Sequence, residues 1–323
     1  MLSEGLTIRG ESGAKYRLVH PLGRERDEPT ANVWKAVHES DDHSEFVVKG
    51  PSRGDDEASN WPAFQHETKM QRLFAKDSMI RHMVDFAPGT DTMRPMMILE
   101  PFQKTLWDAR TTRSFSTHEI KWIMQGVLIA LLNIHRKGLV FTDLKMENIG
   151  ISGFDNDKPN ENPRQIKVRL ADLGAVSNPG TREISALTYR SPEVHFGKPW
   201  DQSTDIWSWG IILAQLLLAQ VDFSSHGMYD SIAVGSLEEK TKAARDAMAV
   251  DFDLHSLPLY ADDAQSQAML PPARPEMAYK WAEAMMDKGI SQEDIQFLAN
   301  TLNPLPEARF TTVEILESGY LDI

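Results

Sequence analysis

The pattern of apolar residues changes near residue 102, and this change restricts the fold more than any other feature of the chain. Before it, short apolar runs separated by turn residues predict a small antiparallel sheet of about five strands. The runs span residues 16–19, 33–38, 45–49, 82–86 and 95–100. One helix is predicted among them, over residues 60–74, because Phe64, Met70 and Phe74 recur at helical spacing.

The remainder of the chain is predicted to be mainly helical. Residues 117–137 and 205–219 have the length and apolar content of long helices, and Ser291 three residues before Asp294 is typical of a helix start. Residues 312–316 predict a short last helix, and the Asn-, Asp- and Pro-rich residues 152–165 predict an exposed loop. Residues 224–275 give mixed signals. The predicted fold class is therefore α+β, with a sheet-rich first part and a helical second part.

Composition excludes several classes of function. Thirty-four Lys and Arg against 47 Asp and Glu give a formal net charge of −13, which disfavours nucleic acid and anionic membranes as partners. The chain has no cysteine, which excludes thiolate catalysis and disulfides. Residues 122–134 and 206–221 are apolar but shorter than a clean membrane span, so we expect buried helices. Residues 1–13 lack the apolar core of a signal peptide, so a cytoplasmic or nuclear rather than secreted protein is expected.

Residues 140–148 place a carboxylate, an ammonium and an amide at fixed offsets in one loop, at Asp143, Lys145 and Asn148. Farther along, a strand-like run over residues 166–171 leads into Asp172. Phosphoryl transfer needs a carboxylate to deprotonate the attacking hydroxyl, oxygen ligands for Mg²⁺, and a cation for the migrating charge. The spacing from Asp143 to Asn148 is weak evidence when taken alone, because it also fits a capped turn.

The order of further motifs strengthens this interpretation. Upstream, Lys49 ends a strand-like run and Glu67 lies on the predicted helix. Downstream come a Tyr-Arg-Ser-Pro-Glu run ending at Glu193, an apolar helix that opens with Asp205, and Arg309. In this order the motifs resemble the eukaryotic protein kinase superfamily over roughly residues 14–321.

The resemblance implies a bilobal protein-kinase-like fold with a small antiparallel N-lobe sheet, one main N-lobe helix and a mainly helical C-lobe. Residues 1–13 would form an extension and residues 14–323 the kinase domain, with the N-lobe ending near residue 100, the hinge at 100–105 and the C-lobe from 106. ATP and Mg²⁺ are the implied cofactors, and serine or threonine hydroxyls of proteins the implied acceptors. Lys145, two residues after Asp143, is typical of serine/threonine kinases, and Thr142 with residues 189–193 is similar to SR-protein kinases and the CMGC group.

The resemblance also implies a role for each residue. Asp143 would be the catalytic base, Lys145 would neutralise the γ-phosphate, and Lys49 would hold the α- and β-phosphates while pairing with Glu67. The metal ligands would be Asn148 and Asp172. The nucleotide-binding residues would be Gly23, Val33, Val47, Lys49, Leu99, Glu100, Phe102 and Gly150.

Three further contacts follow from the same resemblance. The Glu100 carbonyl and the Phe102 amide would bind adenine. Glu193 and Arg309 would form a buried ion pair, and Asp205 would cap the backbone of the catalytic loop.

The chain also departs from the family pattern. The glycine-rich loop keeps Gly23 but has Ala31 where a third glycine is expected, which predicts a mobile lid and weaker nucleotide affinity. Phe141 and Thr142 replace the usual His-Arg before the base, and the missing arginine normally receives an activation-loop phosphate. Activation by phosphorylation is therefore not expected. Gln71 stands where an apolar stack usually has an aliphatic group, and needs a partner.

The adenine site carries a paired change, with Val47 in place of alanine on one wall and Gly150 in place of an aliphatic residue on the other.

Three functions stay open on the sequence alone: an active serine/threonine kinase, a pseudokinase acting as a nucleotide-binding scaffold, and a small-molecule kinase. The first is preferred because the phosphoryl-transfer residues are all present. We expect a monomer acting on a protein substrate, with no nucleic-acid or membrane partner, and the acidic chain is compatible with a basic substrate.

Overall fold

The computed structural model describes residues 2–22, 31–90, 93–232 and 234–323. The chain forms two compact units. The first contains residues 1–103 together with 169–175, and the second contains residues 104–168 together with 176–323.

In the described residues, the first unit has a six-stranded antiparallel sheet with the strand order β1-β2-β3-β4-β6-β5. The strands are β1 Thr7–Arg9, β2 Lys15–Pro21, β3 Val33–His38, β4 Asp41–Lys49, β5 Met83–Ala87 and β6 Met96–Leu99. Alternating side chains turn one face inward, where Ile8, Leu18, Trp34, Val48 and Ile98 are buried together. The register of β3 on β4 places Val33 opposite Lys49, which puts Lys49 at the last paired position of its strand.

Strand β1 is the one strand of this sheet that the sequence pattern did not predict. It lies within residues 1–13, the predicted extension, and pairs with β2 so that Thr7 faces Arg17 and Arg9 faces Lys15. The extension therefore contributes backbone hydrogen bonds and the buried Ile8 to the first unit. Where the kinase domain begins stays a prediction.

Helix α1, Pro62–Leu73, is the main helix of the first unit. Its start is fixed by proline in the first turn and by the Asp55 carboxylate, which accepts hydrogen bonds from the backbone amides of Ala63 (3.1 Å) and Phe64 (2.8 Å). The helix buries Phe64, Glu67, Thr68, Met70 and Gln71. Because Glu67 falls on this buried face, the helix holds a carboxylate inside the unit.

The second unit is mainly helical, as predicted. Its helices are α2 Leu106–Arg110, α3 Thr117–His135, α4 Pro192–His195, α5 Ser203–Val221, α6 Leu237–Asp251, α7 Pro258–Ala261, α8 Ala264–Met269, α9 Lys280–Asp287, α10 Gln292–Thr301 and α11 Thr312–Glu317. A small sheet contains β7 Lys104–Thr105, β8 Ile149–Ser152 and β9 Lys167–Leu170, whose last residues enter the first unit's segment 169–175. The predicted α+β class is confirmed, and the described part of residues 224–275 contains the α-helices α6, α7 and α8, which the sequence did not reveal.

Helices α3 and α5 carry the core of the second unit. Helix α3 begins with a capping box between Ser116 and Glu119, which satisfies two of the free amides of the first turn. Helix α5 is apolar around most of its circumference. By length and hydropathy α5 could span a membrane, but 89% of its most apolar stretch is buried inside the protein, as in the core helix of a globular domain.

Candidate active site

Lys49 is the centre of a charged cluster in the first unit. Its Nζ atom lies 2.7 Å from Glu67 Oε1 and 3.1 Å from Asp172 Oδ1. Strand β4 supplies the lysine, helix α1 supplies the glutamate, and the segment after β9 supplies the aspartate. The Glu67 side chain is 7% exposed and that of Asp172 is 50% exposed, so the cluster runs from a buried anchor to a solvent-facing carboxylate.

Burial and charge act in opposite directions on this cluster. Burial alone would lower the pKa of Lys49, but the charges of Glu67 and Asp172 outweigh it, so the pKa is raised. Burial raises the pKa of Glu67, and the neighbouring Asp172 raises it further, against the opposing effect of Lys49. The lysine is thus a firmly charged cation shared by two carboxylates, one of which faces solvent.

The segment that leads to Asp172 forms backbone hydrogen bonds with the residues just before β5. The Arg81 amide donates to the Leu170 carbonyl at 2.9 Å, and the Leu170 amide donates to the Met79 carbonyl at 2.8 Å. Asp172 itself has φ 64°, in the left-handed region that non-glycine residues seldom adopt. These bonds hold it in place beside Lys49.

A second cluster lies in the loop before β8, inside the second unit. The Asp143 Oδ2 atom accepts from Lys145 Nζ at 2.7 Å and from Asn148 Nδ2 at 3.0 Å, and Asn148 Nδ2 also donates to the Asp143 carbonyl at 2.8 Å. The Asp143 and Lys145 side chains are 26% and 27% exposed. The loop thus presents a carboxylate and an ammonium to solvent, and the short 3₁₀ turn Met146–Asn148 that follows them supplies Asn148.

Asp205, in the first turn of α5, binds the backbone of this loop with its carboxylate. Its two carboxylate oxygens accept hydrogen bonds from the backbone amides of Phe141 (2.7 Å) and Thr142 (2.9 Å), and His135 Nε2 lies 2.9 Å from Oδ2. The predicted capping role of Asp205 is confirmed. His135 was not predicted, because it lies 70 residues earlier on α3 and only the packing of α3 against α5 brings the two together.

The predicted pair of Glu193 and Arg309 is also confirmed. The two side chains form a bidentate pair at 2.9 and 3.0 Å, and both are fully buried. Arg309 additionally donates to the carbonyls of Asn303 and Ser203. Four of the five N–H donors of Arg309 are therefore used within the described residues, and the pair links α4 to the C-terminal helices with its charges matched.

Comparison with known proteins decides the family. A family description of the protein kinase domain matches residues 29–321. The chain belongs to the protein kinase family. Among its relatives, serine/threonine-protein kinase 33 of Bos taurus is 35% identical over 136 residues, 39% of this chain and 28% of that protein. Homeodomain-interacting protein kinase 2 of Mesocricetus auratus is 30% identical over 143 residues, 42% of this chain and 12% of that protein.

A third relative is serine/threonine-protein kinase nekl-2 of Caenorhabditis elegans, 27% identical over 160 residues, 48% of this chain and 41% of that protein. The chain therefore spans less than half the length of each of these three relatives. The predicted resemblance to serine/threonine protein kinases is confirmed, and the homeodomain-interacting kinases belong to the CMGC group that the sequence resembled. The similarity to SR-protein kinases stays a prediction.

A protein kinase domain uses ATP and a divalent metal in general, and the two predicted metal ligands have suitable chemistry. Both hydrogen bonds of the Asn148 side chain use Nδ2, so its amide oxygen receives none from the described residues. The Asp172 carboxylate is half exposed. In the described residues no three His, Asp or Glu side chains converge as a metal cage. Each of these oxygens by itself has the chemistry of a magnesium ligand, because magnesium at a nucleotide takes one or two protein oxygens together with phosphate and water.

Most of the predicted nucleotide-binding residues of the kinase domain lie in the first unit. Val47 pairs with Leu99 between β4 and β6, and Glu100 and Phe102 follow directly after β6. The Glu100 carbonyl, predicted to bind adenine, accepts a hydrogen bond from Arg81 Nε at 2.7 Å. Sequence reasoning missed Arg81, because no local signal marks an arginine before β5 as a neighbour of Glu100.

Two predicted residues lie elsewhere. Gly150 is in β8 of the second unit, where it pairs with Thr105. Gly23, and with it most of the degenerate glycine-rich loop, lies outside the described residues. The expected mobile lid therefore stays a prediction.

Gln71 lies on the buried face of α1 without, in the described chain, the partner that the sequence led us to expect for its side-chain amide. The residue is 2% exposed, and its Nε2 atom is buried without a hydrogen-bond partner among the described residues. An unsatisfied buried amide costs about 1–3 kcal/mol. The kinase domain therefore carries a local destabilisation four residues after Glu67.

Proposed function

We propose that this protein is an active serine/threonine protein kinase that transfers the γ-phosphate of ATP to hydroxyls of protein substrates with the help of Mg²⁺. The observation that carries the proposal is that both charged clusters are assembled, Lys49 with Glu67 and Asp172 in one unit and Asp143 with Lys145 and Asn148 in the other. Phosphoryl transfer depends mainly on positioning and charge, which these clusters supply.

Each residue has a distinct role in the proposed reaction. Asp143 orients the attacking hydroxyl and accepts its proton, with Oδ2 held in place by Lys145 and Asn148. Lys145 supplies a cation beside that carboxylate. Lys49 holds phosphate oxygens, and Glu67 fixes the lysine from its buried side. Asp172 and the Asn148 amide oxygen would hold Mg²⁺, which neutralises phosphate charge when bound.

The segment leading to Glu193 supports an active rather than a collapsed site. The backbones of Val140 and Ser177 exchange two hydrogen bonds at 2.8 and 3.0 Å, and Ser185 Oγ donates to the Thr142 carbonyl at 2.7 Å. The side chain of Arg190 donates to the carbonyls of Ile184 and Ser185. The segment is thus fixed to the loop that carries Asp143 by bonds that need no phosphate.

A basic protein substrate fits the acidic net charge of −13. We further propose that the protein is a monomer, that it acts in the cytoplasm or nucleus, and that its kinase domain spans residues 14–323. The domain limits rest on the motif order, and the location rests on the sequence features given above.

A pseudokinase scaffold is the second candidate, and one observation favours it. Arg81 donates to the Glu100 carbonyl, which is the acceptor predicted for the adenine amine. An arginine that competes with the base would weaken nucleotide binding. This candidate is less well supported, because it gives no reason for both charged clusters to be intact.

A radiolabelled ATP assay on a generic basic protein separates the two candidates. We expect transfer by the wild type and a loss of about 100-fold or more in Asp143→Asn and in Lys49→Met, since each removes a group acting on the transition state. The exposed residues Asp287 and Lys76 provide matched controls, as Asp287→Asn and Lys76→Met. Equal background in the wild type and both site variants would support the scaffold.

A further inference from the structure

Among the described residues of the first unit, Arg81 is the arginine that contacts both Glu100 and Phe102, the two residues predicted to bind the nucleobase. It lies two residues before β5. Its Nε atom donates to the Glu100 carbonyl at 2.7 Å, and its guanidinium carbon lies 4.7 Å from the centre of the Phe102 ring. The short charge-assisted bond and the ring contact fix the plane of the guanidinium at this position.

The outer part of this guanidinium has unused hydrogen-bonding capacity. Arginine has five N–H donors, and the bond to Glu100 uses one. In the described part of the chain, neither terminal nitrogen donates to another residue. Neither is among the fully buried side-chain atoms that lack a partner, so each keeps some exposure although burial lowers the pKa of the guanidinium. The two terminal nitrogens therefore keep donors that a ligand could use.

No carboxylate of the described residues forms a direct ion pair with Arg81, but three carboxylates lie close enough to influence its charge. Burial lowers its pKa to about 10, while Glu67, Glu100 and Asp172 oppose that effect. The Glu100 carboxylate is held by another arginine, Arg169, whose Nε lies 3.2 Å from Oε2. Arg81 thus remains a cation near neutral pH, with its free donors next to Phe102.

Arginine has a specific preference among purine bases. Guanine presents two acceptors, O6 and N7, on one edge, which match two parallel N–H donors of a guanidinium. Adenine presents an amino group in place of O6, so it cannot accept both bonds. The Glu100 carbonyl still has a second lone pair, which an adenine amine can use.

We infer that Arg81 determines the nucleotide specificity of this protein, with its terminal nitrogens binding the O6 and N7 edge of guanine so that the site accepts GTP alongside ATP. The inference rests on the nucleotide-binding part of the proposed function. It names the phosphate donors of the site and assigns Arg81 a contact with the base, with no part in the transfer step.

The test is titration calorimetry of the full chain with MgATP and MgGTP. We expect the wild type to bind GTP with a Kd within about tenfold of that for ATP, and Arg81→Met to weaken GTP by about tenfold or more without weakening ATP. Arg169→Met is the matched control, because it removes the other arginine on Glu100 but leaves the carbonyl contact. Its ratio of the two Kd values should equal that of the wild type.

Arg81→Lys keeps the charge but lacks the planar fork, so GTP should again bind more weakly than in the wild type. This variant carries the test if Arg81→Met does not fold. An unchanged ratio of Kd values in a folded Arg81 variant would overturn the inference, as would a wild type that binds ATP but not GTP. If the wild type does not bind GTP and Arg81→Met binds ATP more tightly, Arg81 only blocks the base-binding position, and the inference is wrong.

Failure of this inference is distinguishable from failure of the proposed function. Transfer from ATP to protein with an unchanged Kd ratio in the Arg81 variants would sink the inference and leave the kinase activity standing. A shifted ratio without any transfer would sink the kinase activity and leave the role of Arg81 standing.

Discussion

Three non-glycine residues at or beside the two clusters have left-handed backbone conformations: Thr142 (φ 68°), Asp172 (φ 64°) and Ser185 (φ 65°). Each costs about 1–3 kcal/mol and persists only where surrounding contacts enforce it. The contacts are present: Asp205 binds the Thr142 amide, and the Ser185 hydroxyl binds the Thr142 carbonyl. The strained backbone at Thr142 and Ser185, next to Asp143, is therefore held by identifiable bonds.

Gln71 allows a test of what one buried, unpartnered side-chain amide costs. Replacing it with leucine removes a buried amide without a described partner, so Gln71→Leu should raise the free energy of unfolding by about 1–2 kcal/mol. Equilibrium urea unfolding measures this change, with the m-value unchanged. Gln65 is exposed on the same helix and its Nε2 donates to the Asn60 carbonyl, so Gln65→Leu should lower the free energy of unfolding by about 1 kcal/mol or less and should not raise it. A less stable Gln71→Leu protein would mean that the amide has a stabilising role.

Residues that belong to an ordered motif series were predictable from sequence, and residues that act through tertiary contacts were not. Lys49, Glu67, Glu193 and Arg309 were all assigned partners that the structure confirms. His135 was missed, because its contact with Asp205 depends on helix packing and leaves no local signal.

Helices and strands, like single residues, were predictable where the sequence carries a clear local signal. Strand β3 has the predicted bounds, Val33–His38, because its apolar run lies between turn residues. Strand β1 was missed because three residues are too short to show alternation. Helix α6 was missed although Ser236 and Glu239 form a capping box three residues apart, a signal that would have located its start.

The segment from residue 176 to Glu193 is predicted to hold its position without phosphorylation. Its main-chain and side-chain bonds to the loop around Asp143 involve no phosphate, so phosphatase-treated protein should keep its activity within about threefold. Thr181→Ala should likewise leave the kinase rate unchanged. Ser185→Ala should lower it, because the hydroxyl bond to the Thr142 carbonyl is lost. Activity that requires a phosphate on Ser177, Thr181 or Ser185 would contradict this account.

For the whole molecule, the predicted fold class is confirmed in both units, whereas the limits of the domain could not be predicted securely. The sheet-forming and helix-forming halves were readable because their apolar periods differ, two in strands and 3.6 in helices. The role of residues 7–9 in the sheet was not readable, because pairing between distant short segments is decided by tertiary packing.

Asp251 makes the stability of the whole protein depend on pH. Burial raises its pKa from 3.8 to about 6, although the Tyr229 hydroxyl donates to it at 3.3 Å. A carboxyl with a raised folded pKa binds its proton more tightly in the folded state, so the free energy of unfolding falls as pH rises from about 4 to about 6. The loss is at most about 3 kcal/mol.

Asp251→Asn removes this titration while keeping an acceptor for Tyr229. The variant should therefore gain stability relative to the wild type as pH rises from about 4 to about 7, which urea unfolding at several pH values measures. Asp287→Asn, at an exposed site, should follow the wild-type pH profile. A constant difference between Asp251→Asn and the wild type across this range would rule out the raised pKa.

The most direct test of the central claim is the single-turnover rate of phosphate transfer from labelled ATP to serine or threonine of a basic protein, measured together with ATP affinity. We predict that Asp143→Asn lowers this rate by about 100-fold or more with little change in the Kd for ATP, because the carboxylate acts on the hydroxyl and not on the nucleotide. The same transfer rate in Asp143→Asn and the wild type, or no transfer by either at saturating ATP, would contradict it.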